Sequence, residues 1–203
     1  MLERLACNLG RNDEVPNIEL AQYLVLHEDK KGIAEIVNGL KQKKAIANDC
    51  IKVLYETGNR NPLLIADYVT EFLSLLESKN NRLVWGGMTA LAAVADYKAD
   101  EIYTQIEKVK YAYRTGSVIT VDNSMTVFAK LCRANEEYKR EIFPELIHHL
   151  KTCRPKEVAQ HAERISICVD SSDKIIYIET LNQRKPMLST AQIKRIEKLI
   201  KGL

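Results

Sequence analysis

Residues 82–96 have the sequence Arg-Leu-Val-Trp-Gly-Gly-Met-Thr-Ala-Leu-Ala-Ala-Val-Ala-Asp, and this stretch decides the fold. It predicts a helix that is apolar almost all the way round, because charge stands only at its ends and Thr89 is its only uncharged polar side chain. Such a helix must be covered on most sides, yet at 15 residues it is too short to cross a bilayer. Gly86 and Gly87 each cost about 1 kcal/mol relative to Ala in a helix. We therefore expect a neighbouring backbone to approach them closely.

The composition indicates a globular chain. Of its 203 residues, 46% are hydrophobic and 28% are charged, and the net charge of +3 is too small to indicate nucleic-acid binding by itself. The five cysteines are odd in number and form no CxxC motif, which favours reduced thiols in the cytoplasm over a disulfide framework. The N-terminal residues carry early charge and lack a long apolar core, so we expect neither a signal peptide nor a membrane anchor.

Apolar pairs recur along the chain at a nearly constant spacing. One series has offsets of 37, 37 and 40 and consists of Ile51/Leu54, Met88/Leu91, Met125/Phe128 and Ile165/Cys168. A second series, from different predicted helices, has offsets of 37 and 40 and consists of Ile65/Val69, Ile102/Ile106 and Ile142/Leu146. A period of about 40 residues with two helices per unit indicates an α-solenoid.

We therefore predict an all-α fold, a right-handed α-solenoid of about four helix pairs within a single domain over 1–203. The pairs are expected at 30–58, 61–97, 100–135 and 138–170, with an N-terminal cap at 1–29 and a C-terminal cap at 171–203. Single helices are expected from Asn61-Pro62 onward and over 100–114, and Asn17 is expected to cap an early helix. Residues 174–180 are β-branched enough for a strand, although a lone strand is disfavoured in a helical chain. Ser189 and Gln192 predict a capping box for the last helix.

One unit carries the clearest family pattern. Ile-Phe-Pro-Glu-Leu-Ile at 142–147 is followed by Glu-Val-Ala-Gln-His-Ala at 157–162. This is similar to a HEAT unit, which has a Pro-containing first helix and a second helix that opens near a Val with small residues following. Over roughly 17–170 the chain resembles HEAT or armadillo-type repeats, although Gly86-Gly87 replaces the usual Ala. The resemblance implies a scaffold or adaptor, with DNA-binding exceptions that include HEAT-like alkylpurine DNA glycosylases.

Motifs that would indicate an enzyme are absent from the sequence. It contains no nucleotide-binding loop, no GxSxG and no HExxH, so we expect no catalytic residues and no cofactor. The only grouping that resembles metal ligands is His148, His149, Cys153 and His161. Adjacent histidines on a helix point about 100° apart, so one ion would not readily take both. We therefore expect ordinary surface or core histidines here and no metal.

The second helices of such pairs line the concave side of a solenoid, which is its usual binding surface. The repeat register places eight residues on this predicted groove: Asn48, Lys52, Tyr55, Arg82, Trp85, Thr89, Asp122 and Thr126. Trp85, the only tryptophan, stands one turn from Arg82, and Trp and Arg dominate binding hot spots. In the alternative interpretation, Trp85 packs between adjacent repeats.

Basic residues recur in the turns between paired helices. This predicted basic rim consists of Lys43, Lys44, Lys79, Arg114, Arg154 and Lys156. It would suit phosphates or an acidic partner, but ordinary solubilising charge explains it better in a chain of this net charge. The predicted function is a non-catalytic scaffold that presents its groove to a protein partner, with no membrane involved. The alternative is a nucleic-acid-binding protein that uses the rim, including a glycosylase-like enzyme with Trp85 and Asp122 at its site.

Overall fold

The computed structural model describes residues 1–203, which form twelve α-helices and no β-strand. The helices are α1 (Val15–Leu26), α2 (Lys30–Gly39), α3 (Lys44–Arg60), α4 (Val69–Leu75), α5 (Asn81–Val94), α6 (Ala99–Tyr103), α7 (Ile106–Thr115), α8 (Val118–Ala134), α9 (Glu136–Thr152), α10 (Pro155–Ile165), α11 (Lys174–Arg184) and α12 (Thr190–Lys201). Short 3-10 turns lie at Leu2–Arg4, Pro62–Leu64, Ala66–Tyr68, Ser166–Cys168 and Lys185–Met187. None of the helices combines the length and apolarity needed to cross a membrane.

The chain divides into two compact units, residues 1–124 and residues 125–203, with the boundary inside α8. In the first unit, α5 packs against α3 and α4, and α3 packs against α1 and α2. Its core includes the fully buried side chains of Ile51, Leu54, Met88 and Leu91. The hydrophobic pairs of the repeat register therefore lie in this core. The assignment of residues 1–203 to a single domain stays a prediction.

The two glycines of α5 are the places where its neighbours come closest. A Cβ on Gly86 would lie 2.6 Å from Cγ1 of Ile51 on α3. A Cβ on Gly87 would lie 3.0 Å from the backbone oxygen of Phe72 on α4. The close backbone approach expected from the sequence is thus found at Gly87, whereas Gly86 makes room for a side chain.

Two helices expected to be continuous are interrupted. The segment after Asn61 forms two 3-10 turns before α4, because Ile65, with φ −117° and ψ 0°, departs from helical geometry. The helix expected over 100–114 is split into α6 and α7 at Gln105, whose φ is −121° and ψ 31°. At this break the Thr104 hydroxyl donates to the carbonyl oxygen of Glu101 at 2.7 Å, a local bond of the kind that competes with helix formation.

The N-terminal helix begins earlier than the sequence predicted. Glu14, not Asn17, is the N-cap of α1, because Pro16 occupies the first turn as helix-starting prolines do. Asn17 is fully buried, and its Oδ1 accepts a hydrogen bond from the Ala6 backbone N–H at 3.0 Å. Asn17 therefore ties the N-terminal segment to α1 and caps nothing.

In the second unit, α9 packs against α10 and α11, and α10 also packs against α12. Residues 174–180 are helical and form most of α11, so the strand considered for them is excluded. Tyr177 anchors this helix, because its buried hydroxyl donates to the Ala162 carbonyl of α10 at 2.6 Å. The capping box of α12 is confirmed, with Ser189 and Gln192 each accepting from the backbone N–H of the other.

We expect Gly86→Ala to destabilise the protein by up to about 2 kcal/mol, since overpacking against Ile51 costs about 1–3 kcal/mol and helix propensity returns only about 1 kcal/mol. In an Ile51→Ala background the same substitution should become neutral or stabilising, because the new methyl group enters the vacated space. Urea denaturation of the four members of this double-mutant cycle measures the coupling. Equal effects of Gly86→Ala in both backgrounds would contradict the proposed contact.

Candidate binding surface

Helices α3 and α5 carry most of the predicted groove residues in the first unit. The structure leaves Asn48, Arg82, Trp85, Thr89 and Asp122 partly exposed on residues 1–124. Thr126 belongs to the second unit, where its hydroxyl oxygen accepts a hydrogen bond from Arg164 at 2.6 Å. The partly exposed groove residues of the first unit therefore lie on α3, α5 and the first turns of α8.

Two groove residues are not exposed as the register predicted. Lys52 and Tyr55 retain only 6% and 7% of their exposure. Lys52 is covered because Glu14 reaches over from the start of α1 and accepts from its Nζ at 2.9 Å, as does Glu56. Tyr55 lies beside Trp85, with ring centroids 5.6 Å apart and ring planes at 51°. Helical periodicity could not show this, because Glu14 and Trp85 lie outside α3.

Trp85 is flanked by charge as well as by an aromatic ring. The Arg82 guanidinium lies 5.6 Å from the Trp85 ring, within the range of a cation–π interaction, and it also bonds to Glu14. Glu14 thus bridges α3 and α5 through Lys52 and Arg82. We call Glu14, Lys52, Tyr55, Arg82 and Trp85 the Trp85 cluster.

Polar side chains stand on both sides of this cluster. On one side Asn80, the N-cap of α5, donates from Nδ2 to Oδ1 of Asn48 at 2.7 Å. On the other side Asn123 donates from Nδ2 to the Thr89 hydroxyl at 2.9 Å and to the Ile119 carbonyl at 3.0 Å. Asn123 was missed because the register pointed to its neighbour Asp122. Its signal is a mid-helix asparagine, which helices disfavour unless it has another role.

Glu14 and Lys52 of the Trp85 cluster have shifted pKa values, and so does Glu56, the ion-pair partner of Lys52. Burial would raise the pKa of Glu14, but hydrogen bonds from Lys52 and Arg82 outweigh this and lower it below the ordinary value of 4.5. Likewise, burial raises the pKa of Glu56 by less than the bonds from Arg60 and Lys52 lower it. Burial would lower the pKa of Lys52, but bonds to Glu56 and Glu14 raise it well above its usual range. All three groups therefore stay charged near neutrality.

The six residues of the predicted basic rim are exposed and are divided between the two units. Lys43, Lys44 and Lys79 are exposed on the first unit and make no ion pair. Arg114, also on the first unit, lies 3.8 Å from Glu107. Arg154 and Lys156 belong to the second unit, where Arg154 is paired with Glu157.

The histidine grouping lies in the second unit and is partly assembled by the fold. His149 Nε2 and His161 Nδ1 are 2.8 Å apart, and both side chains are buried. The ligand atoms of these two residues and of Cys153 lie within 4.8 Å of one another. His148 is exposed and points elsewhere, as its position next to His149 on a helix requires.

Comparison with known proteins identifies the fold of the chain but no sequence family. No protein-family model and no curated protein matches the chain. Among solved structures, an engineered protein matches with a TM-score of 0.68 and 14% identity, covering 98% of this chain and 95% of that one. A designed armadillo repeat protein in complex with the peptide (KR)4 matches with a TM-score of 0.65 and 12% identity, covering 89% and 84%. Another designed armadillo repeat protein matches with a TM-score of 0.63 and 11% identity, covering 99% of each chain.

The chain has an armadillo-type fold. This confirms the all-α solenoid of helix pairs predicted from the sequence, and it supports the resemblance to armadillo and HEAT repeats at the level of fold. Identities of 11–14% carry no more than that.

The lowered pKa of Glu14 makes a prediction about pH. Stability that depends on a carboxylate of lowered pKa is present above the unfolded value and is lost as the pH falls through the folded value. We expect the free energy of unfolding to fall between about pH 7 and about pH 3, and to fall less in Glu14→Gln. Urea denaturation at both pH values measures the difference. Glu19→Gln alters an exposed site on α1 without an ion pair, so its free energy of unfolding should change with pH as in the wild type. The same pH dependence in Glu14→Gln would exclude the bridge from Glu14 to Lys52 and Arg82.

Proposed function

We propose that this protein is a non-catalytic binding module that holds an extended segment of a partner protein across the α3–α5 face of residues 1–124. The observation that carries the proposal is the position of Trp85, partly exposed and held between Arg82 and Tyr55. Trp and Arg residues held rigidly in this way are typical binding anchors. The armadillo-type fold supports the proposal, because repeat proteins of this kind bind through the faces of successive helices.

The amides on both sides of the Trp85 cluster suit a peptide backbone. Asn48 uses its Oδ1 to accept from Asn80 and retains its Nδ2 donors, whereas Asn123 uses its Nδ2 and retains its Oδ1 acceptor. An extended peptide presents both carbonyl oxygens and N–H groups, so it needs a donor and an acceptor from its receptor. We propose that Asn48 and Asn123 bind the peptide backbone while Trp85 contacts an apolar or aromatic side chain.

The charges of the cluster bear on which peptide is preferred. Glu14 and Glu56 are both engaged by cations of the protein itself, which are Lys52, Arg60 and Arg82. Neither of these two carboxylates is therefore left to pair with a basic peptide. A matched solved structure is a designed protein in complex with the basic peptide (KR)4. We propose that this chain instead selects peptides by an apolar anchor.

Selection from a phage-displayed library of short random peptides tests the proposal. Selected peptides should change the fluorescence of Trp85, which is a direct reporter because it is the only tryptophan. Trp85→Ala should weaken binding of a labelled selected peptide by about 30-fold, the equivalent of about 2 kcal/mol, as measured by fluorescence anisotropy. Tyr97→Ala, which removes an exposed aromatic residue, should bind like the wild type.

Stability measurements provide the second control. Trp85→Ala should cost little stability, whereas Met88→Ala, at a fully buried site three residues away, should cost about 2–5 kcal/mol. A loss of 3 kcal/mol or more in Trp85→Ala would instead mark Trp85 as core packing between helices. Binding of labelled duplex DNA that is abolished by Lys43→Glu, Lys44→Glu and Lys79→Glu but not by Trp85→Ala would favour the nucleic-acid alternative.

A further inference from the structure

The hairpin of α9 and α10 gathers three potential metal ligands inside the second unit. His149 lies in the last turn of α9 and Cys153 is the C-cap residue that follows it. Their spacing of four residues places them one above the other on the same side of the helix axis. His161 lies in the middle of α10, which runs back along α9 after a tight turn. The ligands thus come from both arms of the hairpin.

The burial of this cluster is unusual for its chemistry. His161 is fully buried and His149 is 6% exposed, yet their ring nitrogens face each other at 2.8 Å. Two imidazoles can share one hydrogen bond only if the accepting nitrogen is unprotonated, which is the state that binds a metal ion. Cys153 is only partly buried, so the cluster can be reached from the turn between the helices.

The turn that carries Cys153 is held from outside the hairpin. Arg184 on α11 is buried, and its guanidinium donates to the backbone carbonyls of Lys151 and Cys153. The backbone of Cys153 is extended, with φ −61° and ψ 161°, so its side chain is not confined to helical rotamers. A fixed backbone with a rotatable thiol is a suitable arrangement for a ligand that must swing toward an ion.

We propose that His149, Cys153 and His161 form a zinc site, with the ion bound by Nε2 of His149, Nδ1 of His161 and Sγ of Cys153. Two imidazoles and one thiolate are ligands that Zn²⁺ prefers, and three protein ligands leave a fourth position for water. Glu157, one turn before His161 on α10, is held by Arg154 and remains outside the first coordination sphere. Binding releases the proton of the Cys153 thiol and breaks the hydrogen bond between the histidines. The imidazole that donates in this bond moves its proton to its other ring nitrogen, so that both facing nitrogens can bind the ion.

The movements required are small. In a tetrahedral site with the usual bond lengths, two ligand nitrogens lie about 3.3 Å apart, and a nitrogen and a sulfur lie about 3.6 Å apart. The histidine nitrogens must therefore separate by roughly 0.5 Å from their present 2.8 Å. The Cys153 sulfur now lies within 4.8 Å of both histidine nitrogens and must come closer to them. A rotation of the Cys153 side chain can accomplish this. No backbone rearrangement is needed.

Titration of the full chain with Co²⁺, after chelator treatment under reducing conditions, tests the site. One equivalent should bind and produce both visible absorption of tetrahedral Co²⁺ and a near-ultraviolet thiolate-to-metal band, and Zn²⁺ should displace it. Zn²⁺ should also raise the melting temperature, because it binds the folded chain in preference to the unfolded one. Absence of saturable Co²⁺ binding would mean that the two histidines are only a structural hydrogen-bonded pair.

Matched variants decide which residues bind the ion. Cys153→Ser should remove the near-ultraviolet band and weaken binding at least tenfold, and it should fold because Cys153 is partly exposed. His161→Gln should abolish binding, with circular dichroism to check that this buried site still folds. His148→Gln, at the exposed neighbouring position, should bind like the wild type. Binding that survives Cys153→Ser with an unchanged spectrum, or that is lost in His148→Gln, would overturn the proposal.

Discussion

The packing of α5 against α3 and α4 is the constraint on which the first unit depends. Gly86 leaves room for Ile51, and Gly87 lets the backbone of α4 approach closely. A side chain at either position would push a neighbouring helix outward, and the adjacent apolar contacts would be lost. The two glycines destabilise α5 through their low helix propensity. The apolar surface that is buried at the close helix contacts offsets this loss.

The same packing assembles the proposed binding surface. Because α3 and α5 lie so close, Tyr55 and Trp85 come within ring contact, and a single carboxylate from Glu14 can reach both Lys52 and Arg82. These contacts restrict the rotamers of Trp85 and Arg82 before any partner arrives. A side chain that is already ordered loses less conformational entropy on binding, which is the usual advantage of a rigid anchor.

The second unit uses polar side chains in its interior in a different way. Tyr177 on α11 donates to a backbone carbonyl of α10, and Arg184 on α11 donates to carbonyls of the last turn of α9 and of the turn that follows it. A third helix thus fixes the α9–α10 hairpin. The facing histidines lie inside that hairpin. A buried polar group is retained at such a place only when its partners are supplied, and here different helices supply them.

The sequence by itself determined the helical class, the repeat and the buried faces, because an apolar pattern with a helical period depends on residues within one helix. It also predicted the capping box of Ser189 and Gln192, which is a local arrangement. It did not predict the break at Gln105, the burial of Lys52 or the hydrogen bonds of Asn123. Only the tertiary structure decided that His149 faces His161 and that Glu14 covers Lys52. These contacts depend on the rotation and offset of one helix against another, which the periodicity of a single helix does not specify.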